Sequence, residues 1–271
     1  DETGNVAGSH KARHLFTSLL AVEAVERLGT AGRDPRPLAI ASCGNAALAA
    51  AVLARAAGRR LLVFVPAWAD AAVVERLTLL GAEVQACPRR EGEEGDPSVV
   101  RFREVVGQGA VPFSCQGTDN PLALDGGRTL GWELADQLGT AGATRVVIQV
   151  GGGALASSVF RALEEAAARG ALGSVPRLYA VQAAGAAPLA RAWHRLADRA
   201  ARDGWAQALR EATADRRSYM WPWAAPGSAA TGILDDETYD WLEIVRAVAA
   251  TSGSVVTAVS YTHLRAHETG R

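Results

Sequence analysis

Lys11 is the only lysine among the 28 basic residues of this 271-residue chain; all the others are arginines. A guanidinium pairs with carboxylates and solvates a surface as well as an ammonium does. It cannot, however, be deprotonated into an amine nucleophile. A composition that writes arginine wherever a plain cation is needed leaves its one lysine suited to amine chemistry, such as a Schiff base. The alternative is chance survival on a solvated helix face. Lys11 lies in Ala7-Gly8-Ser9-His10-Lys11-Ala12-Arg13, where a small, polar stretch opens a helix.

Two further loops have residue types that could bind a ligand. Ser42-Cys43-Gly44-Asn45 follows a short apolar run and precedes an Ala/Leu-rich one. This places the loop at the C-terminal rim of a strand, where open α/β sheets bind ligands. The Asn45 amide can donate and accept at once, which suits a phenolic oxygen or a carboxylate; otherwise it N-caps the helix. Cys43 reads as a small buried filler. Gly151-Gly152-Gly153-Ala154 follows the apolar Val146–Val150. Three glycines let backbone N–H groups converge at a helix N-terminus, a natural seat for a phosphate, although such turns also serve packing alone. The dinucleotide pattern G-x-G-x-x-G fails after the triplet, and no lysine follows as a mononucleotide P-loop requires. A nucleotide-binding α/β protein would also need an acidic residue closing the next strand, and Val181-Gln182 offers none.

The elements that must position these loops alternate. Helices are expected at about 11–28 with Ser9 as N-cap, then at 46–57, 69–80, 97–107, 121–138, 154–169 and 236–250. Strands are expected at 38–41, 61–65, 83–87, 110–114, 145–150, 177–182 and 254–257. Residues 203–235 read as a long connection anchored by Trp221 and Trp223, and 91–96 as a solvated acidic loop. This order predicts an α/β fold with two open, mostly parallel sheets flanked by helices.

A net charge of −1 leaves no electrostatic footprint for nucleic acid or an anionic membrane. No run approaches about 20 apolar residues, so no membrane span is expected. Cys43, Cys87 and Cys115 show neither disulfide nor metal-site spacing, so no metal is expected and a reducing, cytoplasmic location is the default. The sole methionine is Met220, so the sequence reads as a fragment. Residues 259–271, with His263 and His267, resemble a translated sequencing adapter and are expected to be a non-native tail.

Taken in order, the three loops resemble the fold type II pyridoxal-phosphate enzymes, the tryptophan synthase β, threonine synthase and serine/threonine dehydratase group. Gly8, Ser9 and Lys11 match the family's Thr-Gly-Ser-Phe-Lys stretch, with Ala7 and His10 departing from it. Ser42–Asn45 matches its Ser-x-Gly-Asn loop, and Gly151–Ala154 its phosphate loop. Leu80-Gly81-Ala82-Glu83-Val84, Asp119-Asn120-Pro121 and Gly127–Glu133 resemble its intervening stretches. The segment Ala230–Leu234 with Asp235–Trp241 is closer to threonine synthase-related proteins than to cysteine synthases.

The resemblance implies a smaller N-terminal domain (1–128) and a C-terminal domain (129–258). It implies that Lys11 carries pyridoxal phosphate and serves as the base for the α-proton of a small amino-acid substrate. Elimination or replacement at Cβ or Cγ would follow. Asn45 would contact the cofactor's 3′-oxygen, Ser42, Cys43 and Gly44 the substrate carboxylate, and Gly151, Gly152, Gly153 and Ala154 the phosphate. A homodimer is also implied. No counterpart of the family's C-terminal residue facing the pyridine nitrogen is found, Ser252 and Ser254 lying too early. A non-catalytic remnant of the fold is the remaining alternative, although it would have no need to keep Lys11.

Overall fold

The computed structural model describes residues 1–29 and 36–259, and the expected alternation runs through it. In order, the elements are α1 (Lys11–Leu28), β1 (Leu38–Ala41), α2 (Asn45–Ala56), β2 (Leu61–Pro66), α3 (Ala71–Leu79), β3 (Glu83–Cys87), α4 (Pro97–Gly107) and β4 (Val111–Pro112). They continue with α5 (Leu122–Leu138), β5 (Arg145–Gln149), α6 (Ala154–Ala168), β6 (Arg177–Ala183), α7 (Pro188–Ala214), α8 (Trp241–Ala250) and β7 (Ser254–Ala258). Local chemistry sets several boundaries. Asp70 and Asp96 accept the N–H groups of Ala72 and Ser98, capping α3 and α4, and Pro97 adds its fixed φ at the start of α4.

The chain divides into two compact units, residues 1–127 and residue 128 onward. The first holds a four-stranded sheet of order β3-β2-β1-β4, the second a three-stranded sheet of order β5-β6-β7. Every described strand pair is parallel. In the first unit the chain proceeds from β1 through β2 to β3, then returns to place β4 on the other side of β1. Strand order therefore reverses at β1, whose C-terminal end opens a crevice of the kind ligands occupy. Ser42–Asn45 begins at that end. The core of this unit is formed by Leu15, Leu19, Leu38, Ile40, Leu61, Val63 and Leu77, packed with the small alanines of α2.

In the second unit, Ile148, Leu178 and Val255 meet Phe160, Leu163, Leu196, Trp241 and Ile244. Gly131 lets α5 approach α6 closely, since a Cβ there would stand 2.5 Å from that of Ala162.

Four expectations need correction. The last helix, expected from about 236, starts at Trp241, residues 236–240 being a non-helical turn. Ser9 does not cap α1: His10 occupies the cap position, and Ser9 accepts the Lys11 N–H at 3.4 Å. Residues 203–214 are not a connection but the end of α7, which runs on past a break at Gly204 (φ 81°). Trp205, Ala208 and Ala212 keep an inward stripe there, and Trp193 stacks on Trp205 at 4.9 Å, but the many charged residues between them hide the period. In the acidic loop, Glu93 is not solvated, because Arg101 takes it in at 2.5 Å, both side chains being almost fully buried. The tail assigned to 259–271 falls, Val259 apart, outside the described residues.

Candidate active site

Lys11 is the first residue of α1, half-buried, and among the described residues no carboxylate pairs with it. The neighbouring Arg13 is instead held by Glu2, through bonds of 2.8 Å to each carboxylate oxygen. The turn before α1 is tight: Ala7 sits at φ 58°, a left-handed conformation that costs a non-glycine residue energy, and Gly8 follows at φ 69°. The groups that feel the Lys11 charge are His10, His14 and Cys115. Burial, with Lys11 adding to it, pushes His10 down to about 4 and His14 to about 3, so both rings are neutral at physiological pH. Burial raises the Cys115 thiol against the opposing pull of Lys11. The lone amine thus stands among neutral groups.

His14 is completely buried and donates its Nδ1–H to the Ala123 carbonyl at 2.8 Å, which leaves Nε2 as the ring's bare nitrogen. Its ring meets that of His10 edge to face at 5.7 Å. Asn120, also buried, donates to Ser18 Oγ and to the Ser114 carbonyl, both at 2.9 Å. These bonds fasten the Lys11 helix to the segment 114–123 and give the Asp119-Asn120-Pro121 motif a mechanical role. Gly126 completes the contact, since a Cβ there would stand 2.2 Å from the Arg13 carbonyl oxygen.

The Ser42–Asn45 loop belongs to the same unit, and both α1 and the turn Val6–Gly8 pack on α2, the helix this loop opens. Asn45 is not the cap of α2; Gly44 is, and Asn45 is the first helical residue, exposed and with no side-chain bond among the described residues. The capping role that competed with ligand binding is therefore absent. Ser42 Oγ accepts the Gly44 N–H at 3.4 Å, which leaves its hydroxyl proton to donate elsewhere. Cys43 is in no disulfide and packs at the margin of the core, as a small filler would.

In the second unit, Gly151–Ala154 forms the turn between β5 and α6, with Gly153 at φ 102° as the cap of α6. Among the described residues the N–H groups of Gly151, Gly152, Gly153 and Ala154 have no hydrogen-bond partner. Four such donors at the positive end of a 15-residue helix are chemically suited to a phosphate. Gly153 is required by its φ of 102°, and the other two sit close to their neighbours: an added Cβ would meet Asp235 Oδ2 and, at 3.0 Å, Ile233 Cα from Gly151, and Tyr239 Cδ2 at 3.2 Å from Gly152. The segment behind the loop is stitched to it, with Thr238 donating to the Gly151 carbonyl at 3.0 Å and the Asp240 N–H to that of Gly152 at 3.1 Å.

Gly151→Ala should therefore destabilise the second unit by about 1–3 kcal/mol and weaken phosphate-ester binding, through the forced shift of residues 233–235. Urea unfolding and a pyridoxal-phosphate titration of the same variant check both effects.

Gln182, fully buried, ties this arrangement together. Its Nε2 donates to the Val150 carbonyl and to Thr238 Oγ1, while Oε1 accepts the Leu189 and Ala190 N–H groups and so caps α7. The strand end where a nucleotide-binding protein would present a carboxylate to a ribose thus holds a structural amide.

Sequence reasoning missed His14, Asn120, Gln182, Thr238 and Asp235. His14 left a trace at i+4 from His10 on the lysine helix, and Asn120 and Asp235 lie in stretches already singled out, but no role was given to either. Each of Asn120, Gln182 and Thr238 has a partner far along the chain.

Parallel sheets flanked by helices, with candidate ligand loops at strand–helix turns, define the general class. The family model described as pyridoxal-phosphate dependent enzyme matches residues 1–269, and the chain belongs to that family, with pyridoxal phosphate as its cofactor. It is 36% identical over 170 residues to a serine dehydratase-like protein of Mus musculus, covering 60% of this chain and 46% of that one. It is 28% identical over 156 residues to the threonine synthase of Methanosarcina acetivorans, covering 57% and 37%. The chain thus matches less than half the length of each of these relatives. Among solved structures, the T.th. threonine deaminase superposes with a TM-score of 0.68 at 21% identity, over 99% of this chain and 73% of that one. Maize serine racemase gives 0.70 at 18% identity, over 99% and 68%. No described helix is long and apolar enough to cross a membrane, and no described group of three or more His, Cys, Asp or Glu could hold a metal.

Proposed function

We propose that this chain carries the machinery of a pyridoxal-phosphate-dependent lyase or synthase, similar to threonine synthase or to threonine/serine dehydratase. It would act on a small amino acid by removing the α-proton and then eliminating or replacing a substituent at Cβ or Cγ. The observation that carries this reading is the lone lysine, at the start of α1, with no carboxylate partner among the described residues and with neutral His10, His14 and Cys115 around it. When bound, the cofactor supplies a conjugated ring that stabilises negative charge at the substrate's α-carbon.

The chain's own residues divide the remaining work. Lys11 Nζ would hold the cofactor through its aldehyde carbon, water leaving as the bond forms, and as a free amine would take and return the proton at the substrate Cα. The Ser42 hydroxyl, with Cys43 and Gly44, binds the substrate carboxylate, and the Asn45 amide contacts the cofactor's 3′-oxygen. The N–H groups of Gly151, Gly152, Gly153 and Ala154 hold the phosphate.

The test is to mix the purified chain with pyridoxal phosphate, follow the shift of its absorbance band, reduce with borohydride and map the labelled peptide. Label at Lys11 is expected; a chain that takes up no label, or takes it elsewhere, overturns the reading. An amino-acid panel scored for keto acid, ammonia or phosphate release then identifies the substrate.

A homodimer belongs to the same reading and is favoured by the exposed apolar residues Phe16, Leu20, Val25 and Leu28 along α1. Sedimentation should return twice the 28.3 kDa chain mass, and a monomer at micromolar concentration would dismiss it. Three free cysteines agree with a reducing, cytoplasmic setting, which localisation of a tagged chain in its host cells would check.

A further inference from the structure

Three consecutive glycines leave the backbone of residues 151–153 free to turn its peptide planes in several ways, so the direction of their N–H groups must be set from outside. The structure shows what sets it. The carbonyls of Val150, Gly151 and Gly152 are each taken by a different donor: Gln182 Nε2 at 3.3 Å, Thr238 Oγ1 at 3.0 Å and the Asp240 N–H at 3.1 Å. In a trans peptide the N–H points opposite to the carbonyl of the preceding residue. Holding these three carbonyls therefore fixes the N–H groups of Gly151, Gly152 and Gly153. It turns them away from their holders, to where they have no partner among the described residues.

Two of the three holders are side chains, both buried and bonded to each other. Gln182 Nε2 donates to Thr238 Oγ1 at 3.2 Å as well as to Val150, so the hydroxyl accepts there and its one proton goes to the Gly151 carbonyl. On its other side, Gln182 Oε1 accepts the Leu189 and Ala190 N–H groups at 2.8 and 3.2 Å. Both hydrogens of the amide are thus committed toward the loop, and its oxygen toward α7. The start of α7, through Gln182 and Thr238, decides which way the loop presents its donors.

We infer that Gln182 and Thr238 are positioning residues for the cofactor's phosphate: they touch no part of it, but by holding the Val150 and Gly151 carbonyls they aim the Gly151 and Gly152 N–H groups at it. This rests on the phosphate-binding reading of residues 151–154. A loop released from Thr238 keeps its glycines but loses the fixed plane between Gly151 and Gly152. A hydrogen bond to a charged group is then made poorly, at a cost of roughly tenfold or more in affinity. Only the phosphate part of cofactor binding should feel the loss.

The experiment compares wild type with Thr238→Val, which keeps the branched shape and removes the hydroxyl, and with Thr238→Ser, which keeps the hydroxyl. Should Thr238→Val fold poorly, Gln182→Glu takes its place: it keeps the acceptor for the start of α7 and, ionised, has no donor for the loop. Pyridoxal phosphate and phosphate-free pyridoxal are titrated against each, following tryptophan fluorescence and the absorbance band at fixed pH and ionic strength. Thr238→Val is expected to bind pyridoxal phosphate about tenfold more weakly or worse, with pyridoxal unchanged and Thr238→Ser close to wild type for both. Unchanged pyridoxal-phosphate binding in Thr238→Val, or a parallel loss for pyridoxal as general loosening would give, overturns the inference. Wild type separates the two levels. If it is labelled at Lys11 and prefers pyridoxal phosphate to pyridoxal, yet the variants lose nothing, only the positioning role falls. If it binds pyridoxal phosphate no better than pyridoxal, the phosphate reading of the loop falls, and this inference with it.

Discussion

Lys11→Arg is expected to keep the fold and to lose the borohydride-reducible adduct completely, with turnover falling by about a thousandfold or more. The fold should survive because Lys11 is half-buried at a helix start, has no ion pair to lose among the described residues, and arginine is an equally good helix former. The chemistry should not survive, because a guanidinium remains protonated at every accessible pH and so can neither bond the cofactor's carbonyl carbon nor take a proton from the substrate. Mass spectrometry after reduction should show wild type gaining one cofactor mass and the variant none. Urea unfolding should place the two within about 1 kcal/mol of each other. An adduct that persists in Lys11→Arg, mapped away from the N-terminal α-amine, would remove the central assignment. Arginines cannot substitute in this experiment, and with a single lysine in the sequence no second ε-amine can take over. The α-amine at Asp1 also condenses with aldehydes, and mapping the labelled peptide tells it apart from Lys11.

The parts of this molecule readable in advance are those whose cause is local. β2 is an unbroken apolar run, α2 is mostly alanine, and the glycine triplet needs only its own missing side chains to be recognised. What was hidden depends on partners distant in sequence. Gln182 is an ordinary polar residue until β6 brings it beside Val150 and the start of α7. Asp235 lies in an acidic run that resembles a family signature, and only the fold places its carboxylate on Gly151. The C-terminal half of α7 was obscured differently: a glycine at position 204 and many arginines suggest a loop, yet Arg199 pairs with Glu211 across the break and Trp193 stacks on Trp205. Asn45 shows the reverse case. Its two possible roles were indistinguishable in sequence, and the observed cap at Gly44 removes the capping one.

Lowering the pH from 6.5 to 4.5 is expected to cost the protein about 4 kcal/mol of stability through His10 and His14 alone. Both imidazoles have folded pKa values, about 4 and about 3, below the ordinary 6.5. Under pH 6.5 the unfolded chain therefore binds more protons than the folded one, and stability rises with pH. Each ring contributes a slope approaching about 1.4 kcal/mol per pH unit between its two values, so the loss begins near 6.5 and saturates near 4 for His10 and near 3 for His14. Carboxylates held down by arginines, such as Glu2 beside Arg13, are lost in the same direction but only below about 4.5. The histidine window is thus separable. His14→Asn retains a donor for the Ala123 carbonyl and removes the titration. It should start about 1–2 kcal/mol less stable at pH 7.5, from the cavity, yet lose only about half as much on acidification. Urea unfolding at pH 7.5, 6.5, 5.5 and 4.5 measures both slopes, and parallel curves for the two proteins would refute the assignment. The same burial that makes the fold acid-sensitive keeps a second cation away from Lys11. A charged His14 would place another cation beside Lys11, and burial keeps that charge absent at neutral pH.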